Sequence, residues 1–431
     1  MSILRVSSVI CVALLTLVVP AHAGPPLPPD GRDAGPAPDV DALVRLALDR
    51  APSVAVLRSK LAASREQQEP AGALPDPMVG IMLQTMGPPW NPQPPMSMGQ
   101  VEVSQGLPYP GKQRARREAA EAEVAIRAAD VDALRARLSM RVRSTYAQLY
   151  ALDQERASLS AGNELVDALV AAASARYAAA QGGQEALAKV DLERSALGER
   201  EADLSANRAA LVATLDRLTG QDPRTPMGTV DHLPEPRLPS GALLDTALAD
   251  APELRVERAG VEASHRRLHA AETETRPDFL VGLAAGSTTT GDPVVTLRVG
   301  VELPLWRGKK QDPLIRAAQH DIEAARDQLA DAELTVRAEL ERLEAQWRRD
   351  GEQIARYREA IVPQSSVALG AARGSYATGQ GDFTTVIDDF RRWLEARAGL
   401  ARREADRFTT WAEIEALVAA PAPGPARGDV P

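Results

Sequence analysis

The feature that most constrains this chain is an internal duplication. Ala42–Ser64 aligns with Ala242–Ser264 at an offset of 200, and ten of the twenty-three aligned residues are identical. Further matches follow in the same order in both halves: Pro75-Asp76 with Pro277-Asp278, Leu107-Pro108 with Leu303-Pro304, Gly111-Lys112 with Gly308-Lys309, Tyr177 with Tyr376, and Gly182 with Gly381. Because the order is kept, the two halves are expected to fold as two copies of one unit.

Each copy predicts the same succession of elements: a helix of moderate length, two short strands, a very long helix and a return helix. The first copy, residues 39–219, is divided into a helix at 39–69, a β-hairpin at 76–107, a long helix at 111–180 and a return helix at 184–219. The second copy, residues 240–420, is divided into a helix at 240–274, a β-hairpin at 278–304, a long helix at 309–378 and a return helix at 384–419. A linker rich in Pro and Gly, residues 220–239, joins the copies. The predicted fold class is therefore mainly α with a small β part.

Apolar residues in the long helices recur at spacings of three, four or seven, as Leu138, Val142, Leu149, Leu152 and Leu159 illustrate. This period is typical of coiled-coil packing. About 70 helical residues reach roughly 100 Å. Such a helix spans a distance and does not fill a globular core.

The strands alternate in polarity. In the last strand Val295, Leu297 and Val299 are apolar, whereas Thr296 and Arg298 are polar. Alternation of this kind is typical of an outer-membrane barrel, with Leu297 facing lipid and Arg298 facing the lumen. Four strands cannot close a barrel, but three chains would supply a twelve-stranded one. The alternative is a soluble sheet of two hairpins that packs on the helices.

The N-terminus predicts export. Arg5, the apolar run 9–19 and Ala21-His22-Ala23 form a signal peptide, residues 1–23, that is cleaved after Ala23. No cysteine follows the cleavage site, so no lipid is expected, and the single cysteine, Cys11, lies in the signal peptide. The Pro-rich segments 24–38 and 421–431 are expected to be disordered. The net charge of −9 is dispersed, which argues against a nucleic-acid partner.

Together these features resemble the TolC-like outer-membrane efflux family. The resemblance covers residues 39–419 and includes three motifs: Leu107-Pro108-Tyr109-Pro110-Gly111-Lys112, Leu303-Pro304-Leu305-Trp306-Arg307-Gly308-Lys309, and Tyr376-Ala377-Thr378-Gly379 through Asp388. It implies a homotrimer with a barrel in outer-membrane lipid and a helical tunnel across the periplasm. It also implies a periplasmic adaptor and an inner-membrane pump of the RND type as partners. The cargo would be small solutes, heavy-metal cations or drugs, and Gly381-Asp382-Phe383 resembles the metal-exporting branch.

The resemblance singles out three groups of residues. The tip turns are Tyr177, Gly182, Tyr376, Gly379 and Gly381; the barrel–helix junctions are Pro108, Gly111, Pro304 and Gly308; and the gate candidates are Asp382, Asp388 and Asp389. Three chains would bring these acids around one axis as a cation-favouring ring. Alternatively, the acids cap the return helix. Thr385 stands where some family members carry a second acid one turn from the first.

No cofactor, metal site or catalytic group is expected. Soft methionines surround the first hairpin, namely Met78, Met82, Met86, Met96 and Met98, but they also suit lipid contact or gap filling. His265 and His269 lack a third ligand. Two other classes stay open: a periplasmic coiled-coil adaptor, and a structural coiled coil without a channel.

Overall fold

The computed structural model describes residues 37–84, 97–179, 184–223, 225–238 and 242–419. The signal peptide, both chain ends and Gly182 lie outside these ranges. The first copy contains α1 Val40–Arg50, α2 Pro52–Glu66, α3 Gln68–Gly72, β1 Met78–Gln84, β2 Met98–Leu107, α4 Lys112–Ala178 and α5 Gln184–Thr219. The second contains α6 Leu243–Asp250, α7 Pro252–Thr273, β3 Asp278–Thr288, β4 Pro293–Glu302, a 3₁₀ turn Arg307–Lys309, α8 Gln311–Arg356, a π turn Tyr357–Ile361, α9 Val362–Ala377 and α10 Phe383–Leu417.

The first helix of each copy is broken, although the sequence predicted one continuous helix. Ala51 and Ala251 take extended backbone angles, with ψ of 125° in both. The cause is the following residue, because a proline disfavours helical angles in its predecessor and is well suited to the first helical position. Arg58 donates a hydrogen bond across the first break to the Leu48 carbonyl. Its counterpart Arg258 does the same to Leu248.

The two long helices differ at one place. Helix α4 runs without interruption for 67 residues. In the second copy the π turn Tyr357–Ile361 separates α8 from α9. Pro363 follows this turn, and its ring lacks an N–H and would collide with a carbonyl in a regular helix, which the wider π turn relieves. A Cβ on Gly399 of α10 would lie 2.7 Å from the Tyr357 ring, so glycine makes room for the displaced side chain. No helix in the described ranges combines the length and the apolar character needed to cross a membrane.

The four strands form one antiparallel sheet in the order β1-β2-β3-β4. The central β2–β3 pairing joins the two copies, from Leu107 opposite Phe279 to Met98 opposite Thr288. Among the described residues, strands β1 and β4 each pair on one side only, so both outer edges of the sheet are open there.

The linker between the copies is fixed to the helices. Asp153 of α4 and Arg208 of α5 form a buried ion pair with 2.8 Å between Oδ1 and Nε. Arg208 also donates to the carbonyls of Met227 and Gly228, and the Val230 N–H donates to Asp153 Oδ2. These hydrogen bonds offset the burial of the pair and hold the linker against α4 and α5 of the first copy.

Candidate functional site

One face of the sheet is apolar and exposed across all four strands. Its large side chains are between 49% and 78% exposed: Val79, Ile81, Leu83, Val101, Val103, Leu283, Val295, Leu297, Val299 and Val301. Soluble proteins seldom leave so continuous an apolar surface uncovered. This face therefore requires an apolar environment outside the chain.

The opposite face is polar. Glu102 Oε1 on β2 lies 2.9 Å from Arg298 Nη1 on β4, and Gln100 donates to Thr296 over 3.0 Å between the same strands. These contacts pass over β3, where a Cβ on Gly282 would approach Glu102 Oε1 to 3.0 Å. Arg298 also contacts the sulfur of Met82 at 3.7 Å, although the two residues lie on opposite outer strands. The sheet is therefore curved, with the polar face on its concave side.

The junction between β2 and α4 holds an ion-pair cluster around a buried lysine. Lys112 is 2% exposed, and its Nζ lies 2.8 Å from Asp278 Oδ1 and 3.5 Å from Glu274 Oε2. The Tyr109 N–H donates to Asp278 Oδ1, and Arg116 pairs with Glu274. The lysine thus ties the long helix of the first copy to the first strand of the second copy.

The predicted junction residues frame this cluster in one copy only. Gly111 has a φ of 104°, which favours glycine, and immediately precedes Lys112. In the second copy Pro304 is half-buried, Gly308 lies in the 3₁₀ turn, and Lys309 is exposed. The second junction lies beside the open β4 edge. In the described part of the chain, no further copy of the repeated unit lies next to this edge to cover Lys309. Pro108 and Gly111 were predicted as junction residues from the sequence, whereas Lys112 was not, although the repeated Gly-Lys pair was its signal.

The second tip turn is a Schellman motif. Gly379 has a φ of 78°, the Gln380 N–H donates to Ser375 O over 2.9 Å, and the Gly379 N–H donates to Tyr376 O over 3.1 Å. A Cβ on Gly381 would lie 2.9 Å from Ser375 Cβ. Both glycines are therefore needed for the reversal.

The two tip tyrosines are not equivalent. Tyr376 is 7% exposed and meets Phe383 edge-on at 5.4 Å, whereas Tyr177 is 50% exposed. Gln184 occupies the position in the first copy that Phe383 holds in the second, so Tyr177 has no such aromatic partner. Arg176 joins the two turns, because it stacks on the Tyr376 ring at 4.8 Å and donates to its carbonyl.

The three predicted gate acids have different surroundings. Asp382 takes the N-cap position of α10 but makes no side-chain capping hydrogen bond. Asp388 is exposed on the same helix. The carboxylate of Asp389 is 13% exposed and pairs with Arg392 at 3.0 Å. Two acids therefore face solvent, and the third is neutralised within its own chain.

Acidic side chains at the tip, Asp382 and Asp388 among them, raise the pKa values of nearby basic side chains. The hydrogen bond to Glu185 raises the pKa of Lys189 above its usual value, and the charges of Asp382 and Asp388 act in the same direction. Glu193 raises the pKa of Arg391, and Asp388 adds to that effect. The tip therefore carries interleaved acids and bases whose net field depends on each exposed carboxylate.

Within the described ranges, no group of three or more His, Cys, Asp or Glu side chains could hold a metal ion. Met78 is exposed, Met82 and Met98 are half-buried, and Met86 and Met96 lie outside the described residues. His265 accepts a hydrogen bond from Arg326 over 3.2 Å, while His269 is exposed.

The second copy matches the model of a known protein family. Residues 243–420, nearly the whole second copy, match the family model described as outer membrane efflux protein. The second copy is therefore similar to outer membrane efflux proteins. The resemblance predicted from the repeated motifs is thereby confirmed, and the family consists of channel proteins.

Solved structures agree with this family in fold. The chain superposes on the outer-membrane channel OprN with a TM-score of 0.78 at 17% identity, over 88% of this chain and 90% of that one. It superposes on the outer membrane protein VceC from Vibrio cholerae with a TM-score of 0.74 at 18% identity, over 89% and 97%. The predicted fold class, mainly helical with a small antiparallel sheet, is confirmed.

A curated relative is similar in sequence. The cobalt-zinc-cadmium resistance protein CzcC of Cupriavidus metallidurans (strain CH34) is 24% identical over 292 residues, which cover 67% of this chain and 69% of CzcC. The chain is thus similar to a protein whose name refers to metal resistance.

Proposed function

We propose that this protein is an outer-membrane channel and the exit duct of a tripartite efflux system. The observation that carries the proposal is the sheet: one face is apolar and exposed, the other is polar and concave, and both edges are open. Such a sheet suits a lipid-facing barrel wall completed by other copies. The helices of about 100 Å extend from it and would cross the periplasm.

We propose a homotrimer, because three sheets of four strands give a twelve-stranded barrel. The helix turns would then form the periplasmic tip, which would meet an adaptor and an inner-membrane pump of the RND type. The pump would supply the energy. The signal peptide would be cleaved after Ala23, and the mature protein would carry no lipid, as the sequence predicts.

We propose heavy-metal cations as the cargo, because the relative CzcC is a cobalt-zinc-cadmium resistance protein. The polar face suits the passage of a hydrated cation, since Glu102, Gln100 and Thr296 line it beside Arg298, and the described residues form no closed metal site that would retain the ion. Drugs are the alternative cargo. Deleting the protein should raise the sensitivity of a metal-resistant host to these metals. Raised sensitivity to drugs alone would instead favour drugs as the cargo.

The duct itself is tested by location and conductance. The protein should fractionate with the outer membrane, have the mass of a trimer in detergent, and conduct ions across planar bilayers. A monomer that stays soluble without detergent would contradict the duct and would favour the coiled-coil adaptor or a structural protein.

The exposed acids at the tip set a specific expectation for ion preference. Replacing Asp388 and Asp389 by Asn should leave the trimer intact and lower its preference for cations over anions severalfold in bilayer recordings. Like charges that converge on an axis attract cations, and added salt should weaken the difference because the tip is hydrated. Asp388→Asn alone should produce most of the change at low salt, because Asp388 is exposed whereas Asp389 is paired.

Glu395→Gln is the matched control. Glu395 is exposed on the same helix but lies seven residues, or about 10 Å, farther from the turn. If Glu395→Gln changed ion preference as much as Asp388→Asn, or if the double variant kept wild-type preference, the acidic ring at the tip would be wrong.

A further inference from the structure

The contact between the two copies within one chain provides a template for the contact between chains. It has two parts: the β2–β3 pairing, and Lys112 inserted beside Asp278. Both parts lie between equivalent units of the duplication. Among the described residues, equivalent surfaces recur without a partner at the two outer edges of the sheet, on β1 and β4.

Sequence and structure agree on how the units correspond. The Pro-Asp pairs that precede the first strands differ by 202 in number, and the Leu-Pro pairs that follow the second strands differ by 196. Applying these offsets to the pair Ile81–Val101 of the first hairpin gives Leu283–Leu297, which is the pairing seen in the second. The offsets therefore transfer strand register correctly from one copy to the other.

The same offsets, applied to the β2–β3 pairing, convert Val101–Ala285 into Leu297 opposite Leu83 of another chain. Neighbouring pairs become Val299–Ile81 and Val301–Val79. All six of these side chains lie on the exposed apolar face. A slip by one residue would place apolar side chains opposite polar ones, so the register is well specified.

Within the part of the chain that the structure describes, the counterpart of the buried lysine has no ion-pair partner. Lys309 corresponds to Lys112, and Asp76 corresponds to Asp278. The backbone turn is also repeated, since the N–H of Lys112 donates to Tyr109 O and that of Lys309 donates to Trp306 O, both over 3.0 Å. In the single chain Lys309 and Asp76 are exposed, beside the β4 edge and the β1 edge respectively. Opposite charges thus stand at the two surfaces that the template brings together.

The polar face adds a second complementary contact. Arg298 is the counterpart of Glu102, and Gly80 is the counterpart of Gly282. Within one chain Glu102 reaches Arg298 over Gly282. Across a boundary, Arg298 would reach over Gly80 of the neighbouring copy toward its Glu102. Closure would then give acids and bases that alternate around the lumen.

We infer that the β4 edge of one protomer binds the β1 edge of the next with Leu297 opposite Leu83, and that Lys309 forms an ion pair with Asp76 of that neighbour. This inference rests on the proposed trimer and adds its register and its ion pair. The occupant of both open edges is a second copy of this chain, because the copy carries the complementary edge and the complementary charge.

Cysteine cross-linking tests the register. The sequence contains a single cysteine, Cys11, so introduced pairs can be read with little background. Leu83→Cys with Leu297→Cys should give covalently linked trimers on non-reducing gels, after oxidation or with a short bis-thiol reagent, because directly opposite residues lie close enough. Leu83→Cys with Val299→Cys, two residues out of register, should cross-link far less. Leu283→Cys with Leu297→Cys, a pair within the chain, should oxidise without linking protomers.

Charge reversal tests the ion pair. Lys309→Asp should lower the temperature at which the trimer dissociates, and adding Asp76→Lys should restore it. Lys310→Asp, at an adjacent exposed lysine, should have little effect.

Preferential linking through Leu83 and Val299, or no linking while the reduced protein keeps trimer mass, would overturn the register and leave the duct intact. Failure of Asp76→Lys to rescue Lys309→Asp would overturn the ion pair. Absence of a trimer in the reduced wild-type protein would instead refute the proposed function itself.

Discussion

Replacing Lys112 by methionine should destabilise the folded protein by about 1.5–3 kcal/mol, the usual contribution of hydrogen bonds to a charged group, because Lys112 is buried while Asp278 and Glu274 remain partly accessible to water. Methionine fills most of the same volume, so loss of packing is small. The loss is electrostatic, because Asp278 and Glu274 are left close together without their cation. The measurement is the thermal midpoint and the inactivation half-life of the detergent-purified protein.

Rescue separates the electrostatic cause from a general defect in folding. Adding Asp278→Asn to Lys112→Met removes one of the abandoned charges and should recover part of the lost stability, a coupling that a double-mutant cycle measures. Lys310→Met is the control, since Lys310 is exposed at the equivalent end of the second copy. Equal losses in Lys112→Met and Lys310→Met, or additive losses in the double variant, would show that Lys112 does not depend on Asp278.

The cluster around Lys112 also shows which parts of this protein the sequence could predict. Strand alternation and the helical period are local patterns, so the curved sheet with opposite faces for Leu297 and Arg298 followed from them. Burial of Lys112 depends on Asp278, which lies 166 residues later in the chain and reaches the lysine only through the pairing of the two copies. A repeated Gly-Lys pair marks both junctions equally, although only one lysine is covered by its own chain.

The tip of the helices shows the same difference between local signals and side-chain pairing. The turn at Gly379 was predictable, because a glycine at the end of a long helix is typical of a Schellman motif. The pairing of Asp389 with Arg392 was not, because a helix that carries both signs of charge allows many alternative pairs at spacings of three or four. The helix breaks at Ala51 and Ala251 could have been read from the prolines that follow them. Side-chain pairing was therefore unpredictable where several partners were possible in sequence, whereas the helix breaks were missed although their local signal was present.

A single arginine on the apolar face should prevent assembly in the membrane. Leu297 lies in the middle of β4 on the exposed face, and a charge at the middle of a lipid-facing strand costs about 2–4 kcal/mol in each chain. A trimer would incur that cost three times. We therefore expect Leu297→Arg to reduce the outer-membrane trimer at least tenfold, measured by membrane fractionation and quantitative immunoblotting.

Replacing the adjacent residue, Arg298, should leave assembly of the trimer intact. Arg298→Leu breaks the ion pair with Glu102 on the concave face, where water can solvate the freed carboxylate. The trimer should therefore persist, while the preference of the pore for cations should rise, because each chain loses one positive charge from the lumen. Leu192→Arg is the control for adding arginine, since Leu192 is 67% exposed, as Leu297 is at 69%, but lies on the return helix α5. If Leu297→Arg assembled as well as Arg298→Leu and Leu192→Arg, the apolar face of the sheet would not face lipid, and a soluble sheet covered by protein would replace the barrel.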